Sequence, residues 1–589
     1  MKTGVAILFS LIASLPLSAQ QRTFIRINQL GYVPLGPKVA VACSLDSVSI
    51  TTFTVQDGEG RVVFGPRKAT PSGSFASCAS THRLDFTQLR KPGRYTIVAA
   101  GVSSPAVRIA AEIYDGAADT LLDYMRQQRS GFNTVIRDSV HKFDGRIVDH
   151  PTRTNEFINV TGGWADASDY LQYVTTSANA TFVMLMAYRD NPRAFGDAFD
   201  ARGLPGANGI PDVLDEARHG LDWLLRMYPG GEDIFNQLAD DRDHMYFDFP
   251  WRDSSDYGWG KGKDRPVYPC TGKPQGLFNA KNRSTGYAST AGKYASAFGI
   301  AADVFRKRDP AFARTLRDRA VAAYDLGVKH PGVCQTAPAR SPYFYEEDNW
   351  HDDMELGAAL LVDATGRRRF LNDALAHARD EPITPWMGKD TARHYQWYPW
   401  HNNGHYEAWR NASPAQRTQL AAYYRKGLEA VVARSQNGFR VGIPFIWCSS
   451  NLMASFATQA YLYRRMTGDN RFREYEAAAL DWLLGANPWG VSMIIGFPRD
   501  GVYAHDPHSV ISNKMGVKYL TGGMLDGPVY RSIYGNLKGI ALHDADEYAP
   551  FNTGFIVYHD DVGDYSTDEP IMDGTANLTY LFAAMASHR

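Results

Sequence analysis

The chain has 589 residues, of which 44% are hydrophobic and 21% charged, and 62 Lys and Arg against 63 Asp and Glu leave a formal net charge of −1. A chain of this length exceeds what one hydrophobic core usually serves, so we expect two or more domains. The balanced charge excludes the basic surface that nucleic acid or an anionic membrane would attract, whereas a neutral polymer is compatible with it.

The first 20 residues have the pattern of a secretory signal peptide. Lys2 precedes an apolar run at residues 5–17, and small and polar residues follow that run. The run is too short to cross a bilayer as a helix, and no later stretch is long and apolar enough to do so. The sequence therefore predicts an exported protein without a membrane span, located in the periplasm or outside the cell.

Residues 22–110 favour β-structure. Runs rich in Val, Ile, Thr, Tyr and Phe alternate with turns that contain Gly or Pro. These runs lie at residues 38–42, 51–55, 61–64 and 94–98. Several short strands at this spacing indicate a small β-sandwich.

Five cysteines in a chain this long do not make a disulfide scaffold. Cys43 and Cys78 both fall in the β-rich region and could form a disulfide bond in an oxidising compartment. Cys270, Cys334 and Cys448 are interpreted as buried thiols, since their spacing does not match a zinc finger.

From residue 111 to residue 589 the hydrophobic periodicity is helical. Apolar residues recur at three and four positions in eight stretches. These stretches lie at residues 113–127, 171–188, 213–227, 288–306, 311–326, 354–365, 451–466 and 472–484. Long loops separate them without alternating strands, which argues against a parallel α/β fold. The periodicity alone predicts a large all-α domain.

One loop, residues 235–286, is long and rich in aromatic and charged residues. Loops of this length are uncommon in compact domains unless they have a function. We interpret the loop as a wall of a substrate cleft. A surface insertion held by its own ion pairs is the alternative.

The first of two acidic motifs is residues 162–170, Gly-Gly-Trp-Ala-Asp-Ala-Ser-Asp-Tyr. It places Asp166 and Asp169 between Trp164 and Tyr170. The alternative role for one of these carboxylates is a helix N-cap, which accepts hydrogen bonds from the first backbone N–H groups of a helix.

The second acidic motif, residues 564–573, contains Tyr565 and Glu569 and lies hundreds of residues further along the chain. Cleaving a glycosidic bond with inversion requires two carboxyl groups on opposite sides of one sugar ring, about 6.5–9.5 Å apart. Two distant acidic motifs brought together by the fold could meet this requirement. Aromatic residues beside the carboxylates suit stacking on sugar faces.

These two motifs resemble the catalytic signatures of glycoside hydrolase family 9, the cellulase family of inverting β-glucanases. Residues 26–32 resemble the start of the immunoglobulin-like module that precedes many catalytic domains of this family. Other segments resemble family motifs in the family's order, at residues 208–216, 289–293, 345–356 and 485–490. The resemblance implies a small all-β immunoglobulin-like sandwich over residues 22–110, followed by an all-α (α/α)6 barrel over residues 111–589.

The resemblance also implies roles for the acidic residues. Asp169 takes the position of the general base, Asp166 that of a partner that helps to hold the water, and Glu569 that of the general acid. A general acid must stay protonated near neutral pH, and Asp564 or Asp568 could supply the neighbouring negative charge that this requires. The implied reaction is hydrolysis of β-1,4-glucosidic bonds in cellulose-like glucans, for which no organic cofactor is required.

One departure from the family leaves the mode of action open. His508 matches the first His of a substrate-binding motif, but Ser509 and Val510 stand where the family has a second His and an Arg. An exo-acting β-glucosidase or glucosaminidase is therefore a rival to the cellulase interpretation. An inactive carbohydrate-binding protein is a more distant rival, since all three carboxylates are retained.

Residues 345–355 are dense in carboxylates. Their oxygens could hold a structural calcium ion, but their spacing has no EF-hand pattern, so we favour a cleft-facing or helix-capping role. Trp350 lies in this stretch. The predicted substrate-binding residues are Trp164, Tyr170, Trp350, His508 and Tyr565.

Overall fold

The computed structural model describes residues 22–245, 247–340 and 344–587. The predicted signal peptide, residues 1–20, lies outside the described residues. Within the described residues, none of the helices has the length and the apolar character needed to cross a membrane.

The N-terminal part consists of two antiparallel sheets packed face to face. Its strands are β1 Thr23–Arg26, β2 Val39–Ser44, β3 Thr52–Asp57, β4 Val62–Lys68, β5 Thr70–Pro71, β6 Ser80–Asp85, β7 Gly93–Ala99, β8 Val102–Ser103 and β9 Val107–Ile109. One sheet has the order β1-β2-β6-β5, and the other has the order β4-β3-β7-β8 with β9 paired to β7. Alternate residues such as Phe53, Val55 and Ile97 are buried between the sheets, as the period of a half-buried strand requires. The predicted β-sandwich is confirmed.

Helices make up most of the remaining chain. They are α1 Ala117–Gln127, α2 Val174–Asp190, α3 Asp212–Met227, α4 Ala288–Val304, α5 Pro310–Lys329, α6 His351–Thr365, α7 Arg369–Asp380, α8 Pro385–Lys389, α9 Gly404–Asn411, α10 Pro414–Arg434, α11 Ser449–Thr467, α12 Arg473–Leu483, α13 Val510–Met515, α14 Arg531–Tyr534 and α15 Met572–Met585. Short 3-10 helices lie at Pro192–Ala194, Asp243–Met245, Pro250–Arg252, Val517–Leu520 and Ala549–Phe551.

Twelve of these helices form two concentric rings. The helices α2, α4, α6, α9, α11 and α15 contact one another in this order, and α15 contacts α2, which closes an inner ring. Each inner helix packs against one outer helix, the outer partners being α3, α5, α7, α10, α12 and α1 respectively. This arrangement confirms the (α/α)6 barrel.

The inner helices are buried on all sides, unlike an amphipathic surface helix. In α2, for example, residues 174–187 are all buried. Close approach between neighbours depends on small residues: a Cβ added at Gly292 of α4 would lie 2.6 Å from the backbone carbon of Asp353 in α6. The barrel core therefore depends on residue size as well as on apolar character.

Short strands in the barrel part position the long loop. They are β10 Gly131–Asn133, β11 Asp138–Val140, β12 Arg146–Ile147, β13 Gln172–Tyr173, β14 Phe235–Leu238, β15 Pro266–Pro269, β16 Met524–Leu525, β17 Val529–Tyr530, β18 Ile556–Val557 and β19 Pro570–Ile571. Four of them form a sheet in the order β12-β15-β14-β13. Because β13 directly follows the first acidic motif, the chain between β14 and β15 emerges beside that motif.

The structure contains two disulfide bonds. Cys43 of β2 bonds to Cys78, as the sequence allowed. Cys270 bonds to Cys334, so the interpretation of these two as thiols is wrong. They are 64 residues apart, and the fold alone brings the ends of β15 and α5 together. Cys448 is a buried free thiol, as predicted.

The sandwich packs directly on α12 of the barrel. The Asn28 side-chain amide donates to Asp481 Oδ1 at 2.8 Å, and Arg83 forms an ion pair with Glu474 at 2.6 Å. The Phe75 ring lies edge-on to Trp482, with 6.2 Å between ring centroids. Burial raises the pKa of Asp481 to about 7.

Candidate active site

The two acidic motifs meet although they are hundreds of residues apart. The first motif leads into α2 and the second leads into α15, and these two helices are neighbours in the inner ring. The backbone N–H of Met572 donates to the Asp166 carbonyl at 2.9 Å. The backbone N–H of Ser168 donates to Glu569 Oε1 at 2.9 Å, and the Ser168 hydroxyl also bonds to this oxygen. The closing contact of the ring therefore assembles the site.

Asp169 is 20% exposed and is held by the long loop. His244 Nε2 lies 2.6 Å from Asp169 Oδ2, and the Leu171 backbone N–H donates to Oδ1 at 3.1 Å. Burial lowers the pKa of His244, but the charge and the hydrogen bond of Asp169, together with Asp243 and Glu569, outweigh it and raise this pKa to about 9. At neutral pH the site therefore holds an imidazolium against the Asp169 carboxylate.

Glu569 is partly buried and has an environment suited to a general acid. Burial is the largest cause that raises its pKa, and the charge of Asp169 adds to it. His508 and the hydrogen bonds from Ser168 act in the opposite direction. A raised pKa keeps the proton that a leaving glycosidic oxygen needs.

The negative charge that raises the pKa of Glu569 most is that of Asp169, rather than that of Asp564 or Asp568, which the sequence had offered. Asp568 is fully buried, accepting from the Tyr558 hydroxyl and from the Asp561 backbone N–H, each at 3.1 Å. Asp564 accepts from His559 Nδ1 at 2.7 Å and from its own loop. Both carboxylates organise the second motif rather than the acid.

Asp166 is 5% exposed and already has two protein donors. The Thr176 hydroxyl donates to Oδ1 at 2.5 Å, and the Tyr345 hydroxyl donates to Oδ2. Burial, Asp573 and Asp169 raise the pKa of Asp166 well above its ordinary value, against the effect of the two hydroxyls. Any water that Asp166 holds must use the remaining lone pairs of these oxygens.

Two of the predicted substrate-binding aromatic residues have structural roles instead. Trp164 is fully buried and donates from Nε1 to Glu216 at 2.7 Å, so the prediction that it contacts a sugar is wrong. Tyr170 is 8% exposed, and its hydroxyl donates to the Asp248 carbonyl, so it anchors the long loop. Neither ring offers a free face, because each is enclosed by its own neighbours.

His508 lies close enough to Glu569 for its charge to lower the pKa of that carboxyl group. Its ring is 4.8 Å from that of Phe247 and 6.0 Å from that of Tyr565, centroid to centroid. Tyr565 in turn stacks on Trp447 at 6.1 Å. These rings form an aromatic row beside Glu569.

The remaining positions of the motif around His508 support the backbone. The Ser509 hydroxyl caps α13 by accepting from the Ile511 N–H at 3.2 Å, and Val510 is buried in the core. Trp350 stacks on His351 at 3.9 Å, so the face it turns to His351 is closed to a sugar.

Four carboxylates of residues 345–355 are paired with Lys or Arg side chains of the chain. Lys293 lies between Glu347 and Asp353, at 2.6 Å from the latter, and all three are buried. Arg393 pairs with Glu346 and Asp348 on the surface. These contacts give the four carboxylates a structural role beside the start of α6.

Three residues of the site, His244, Ser168 and Phe247, were not predicted from the sequence to be functional. His244 is in the loop interpreted as a cleft wall, and Ser168 is inside the first motif. A single polar or aromatic residue in a loop has no periodicity to mark it. Only the aromatic and charged composition of the loop indicated that its residues could contribute to a site.

The His244–Asp169 pair predicts an alkaline limit to stability. The pKa of His244 is above its ordinary value in the folded state, so its stabilisation is complete below about pH 6.5 and is lost as pH rises through about 9. Because the His244 side chain is 32% exposed, we expect an effect of about 1 kcal/mol or less. Between about pH 6.5 and about pH 10, the melting temperature of the parent should fall more than that of the His244→Gln variant. The matched control is His330→Gln. If the melting temperatures of the parent and of His244→Gln fell equally with rising pH, the prediction would be contradicted.

The sequence model of Glycosyl hydrolase family 9 matches residues 114–582, and that of the Cellulase N-terminal ig-like domain matches residues 20–104. Endoglucanase C of Cellulomonas fimi is 27% identical over 82% of this chain, which spans only 45% of that relative. The Xyloglucan-specific endo-beta-1,4-glucanase of Bacteroides ovatus is 23% identical, with 80% of each chain covered. The crystal structure of a metagenome-derived glycoside hydrolase family 9 endoglucanase has a TM-score of 0.74 and 25% identity, covering 96% of this chain and 99% of the other.

Proposed function

Because the chain belongs to glycosyl hydrolase family 9, we propose that it hydrolyses β-1,4-glucosidic bonds in cellulose-like glucans or their oligosaccharides, with inversion at the anomeric carbon. Endoglucanases of this family are among its relatives by sequence and by structure. The observation that carries the proposal is the contact of Ser168 with Glu569, which brings the Asp169 motif against a carboxyl group of raised pKa.

In the proposed reaction, Asp169 is ionised and takes a proton from the attacking water while Glu569 gives its proton to the leaving oxygen. His244 occupies one oxygen of Asp169, which orients the carboxylate and leaves lone pairs on Oδ1 for the water. Asp166, in the same motif, would help to hold this water through the lone pairs that Thr176 and Tyr345 leave free. His508 and the aromatic row lie where sugar rings would stack.

The experiment that tests the proposal is a product profile on cello-oligosaccharides, xyloglucan oligosaccharides and chitosan oligosaccharides. We expect cleavage of the cello-oligosaccharides, measured as new reducing ends. Cleavage of chitosan oligosaccharides alone would transfer the assignment to a glucosaminidase. Binding without any cleavage would leave a carbohydrate-binding protein.

A second candidate, exo-action on short glucans, is favoured by the position of residues 243–245 and 247–249. This segment is fixed on several sides of the site. His244 bonds to Asp169, the Asp248 carbonyl accepts from Tyr170, and Asp248 Oδ1 lies 2.8 Å from Lys514 Nζ. Phe247 is 43% exposed and packs on the His508 ring. A segment in this position would block the path of a long glucan on one side of the carboxylates.

The double variant Phe247→Ala/Lys514→Ala tests this closure. If the segment restricts the cleft, loosening it should permit more internal cuts. The viscosity of a soluble cellulose derivative should then fall further for the same number of reducing ends released. With the unmodified enzyme, the viscosity of the substrate solution should fall slowly while one small product is released. The matched control is Lys261→Ala, an exposed change in the same loop. Rapid viscosity loss and a ladder of oligomers from the unmodified enzyme would instead favour endo-action.

We also propose that the protein works in an oxidising compartment outside the cytoplasm, with residues 22–110 as the immunoglobulin-like module and residues 111–589 as the catalytic domain. Two disulfide bonds support this location, since such bonds persist in periplasmic and extracellular proteins.

A further inference from the structure

His351, His377 and Asp380 form a side-chain cluster that the proposed hydrolysis does not use. Helix α6 begins at His351, and α7 ends at Asp380. The two helices are consecutive, packed together and joined by a short turn, so the start of one lies beside the end of the other. His377 and Asp380 are three residues apart and therefore share a face of α7.

The cluster has the spacing of a metal-ligand set. His351 Nδ1 lies 3.0 Å from His377 Nδ1 and 3.6 Å from Asp380 Oδ2. Zinc–ligand bonds of about 2.0–2.2 Å at tetrahedral angles separate neighbouring ligand atoms by about 3.3–3.5 Å. Among the described residues, only these three His, Cys, Asp or Glu side chains bring three such atoms within 4.8 Å of one another.

The surroundings orient the cluster and leave one side open. The Trp350 ring stacks on His351 at 3.9 Å and lies edge-on to His377 at 5.7 Å, which restricts both imidazoles. The carbonyl groups at the end of α7 carry partial negative charge and favour a cation there. The Asp380 side chain is 59% exposed, so solvent reaches the side opposite the indole.

We propose that His351, His377 and Asp380 bind one zinc ion, with water as the fourth ligand. Two imidazole nitrogens and one carboxylate oxygen suit zinc and not calcium or magnesium, which prefer oxygen ligands. The ion links the start of α6 to the end of α7 and clamps an inner helix to its outer partner. Its role is in the stability of the barrel and not in the acid–base chemistry.

The test is calorimetric titration of the full-length, chelator-treated protein with zinc chloride at neutral pH. We expect one zinc per chain and a melting temperature that rises with zinc concentration above the Kd. His377→Gln and Asp380→Asn should each weaken binding by about 10-fold or more, since even changes to the partners of ligands cost 10–100-fold. The His330→Gln variant, which changes a histidine outside the cluster, should bind as the parent does.

Asp380 is exposed, so the Asp380→Asn variant keeps the test valid if His377→Gln fails to fold. Cobalt(II) provides an independent readout, because a tetrahedral site gives visible absorption bands that are much more intense than those of the octahedral aqua ion. Failure to bind one equivalent would overturn the proposal and leave a hydrogen-bonded histidine pair. Equal binding by parent and both ligand variants would also overturn it.

Discussion

Replacing Glu569 with Gln is expected to lower kcat/KM for cello-oligosaccharides by about 10²–10⁴-fold, the range that general acid catalysis contributes. The amide keeps the shape of the side chain but has no proton to give to the leaving oxygen. An aryl glycoside whose leaving group departs without protonation should be affected much less. The two substrates compared on one variant therefore isolate the proton transfer.

The control for Glu569→Gln is Glu429→Gln, an exposed change on α10. Both variants should melt as the parent does, because Glu569 accepts hydrogen bonds only from Ser168 among its described contacts and a Gln oxygen can accept them too. Equal losses on natural and aryl substrates would rule against Glu569 as the acid.

Replacing Asp169 with Asn is expected to lower activity by about 10²–10⁴-fold on natural and activated substrates alike. The attacking water must lose its proton whatever group leaves, and an amide does not accept it. This pattern differs from that of Glu569→Gln, so the two variants distinguish base from acid. The His244→Gln variant is the companion, since it removes the partner of Asp169 but leaves the carboxylate.

Stereochemistry provides a further test of the Asp169 assignment. A water activated on the far side of the ring gives the α-anomer from a β-linkage. Proton NMR of fresh product, recorded before mutarotation, measures the ratio of anomers. If the first-formed sugar were the β-anomer, the mechanism would be retaining and Asp169 could not be the base proposed here.

The sequence predicted the architecture where its pattern was periodic. All eight predicted helical stretches correspond to helices, α1–α6, α11 and α12. Helix α9 was missed because it is only 8 residues long. Helix α15 was missed because it is buried on nearly every side, so no single apolar stripe marks it. Helix α10 was missed although Ser413 and Gln416 form a capping box that marks its start. Helix α7 was also missed, although its buried apolar residues, among them Phe370 and Ala374, recur at helical spacing.

The candidate site was predictable where motifs are local, and not where it depends on how loops meet. The positions of Asp166, Asp169 and Glu569 followed from two short motifs. The contact of His244 with Asp169 depends on the path of a loop between β14 and β15, which no local pattern specifies. Trp164 was misassigned because an aromatic residue beside a carboxylate looks the same in sequence whether it faces a cleft or the core.

The site lies where the inner ring closes. It is formed by the segments that lead into α2, the first inner helix, and into α15, the last. Its base precedes the first helix of the inner ring and its acid precedes the last, so neither half of the barrel contains both. Partly folded chains can hold many native helices and still have no catalytic pair, because this contact has the largest sequence separation in the ring. We therefore expect activity to require this contact, so that an activity assay measures complete barrels rather than all chains that contain native helices.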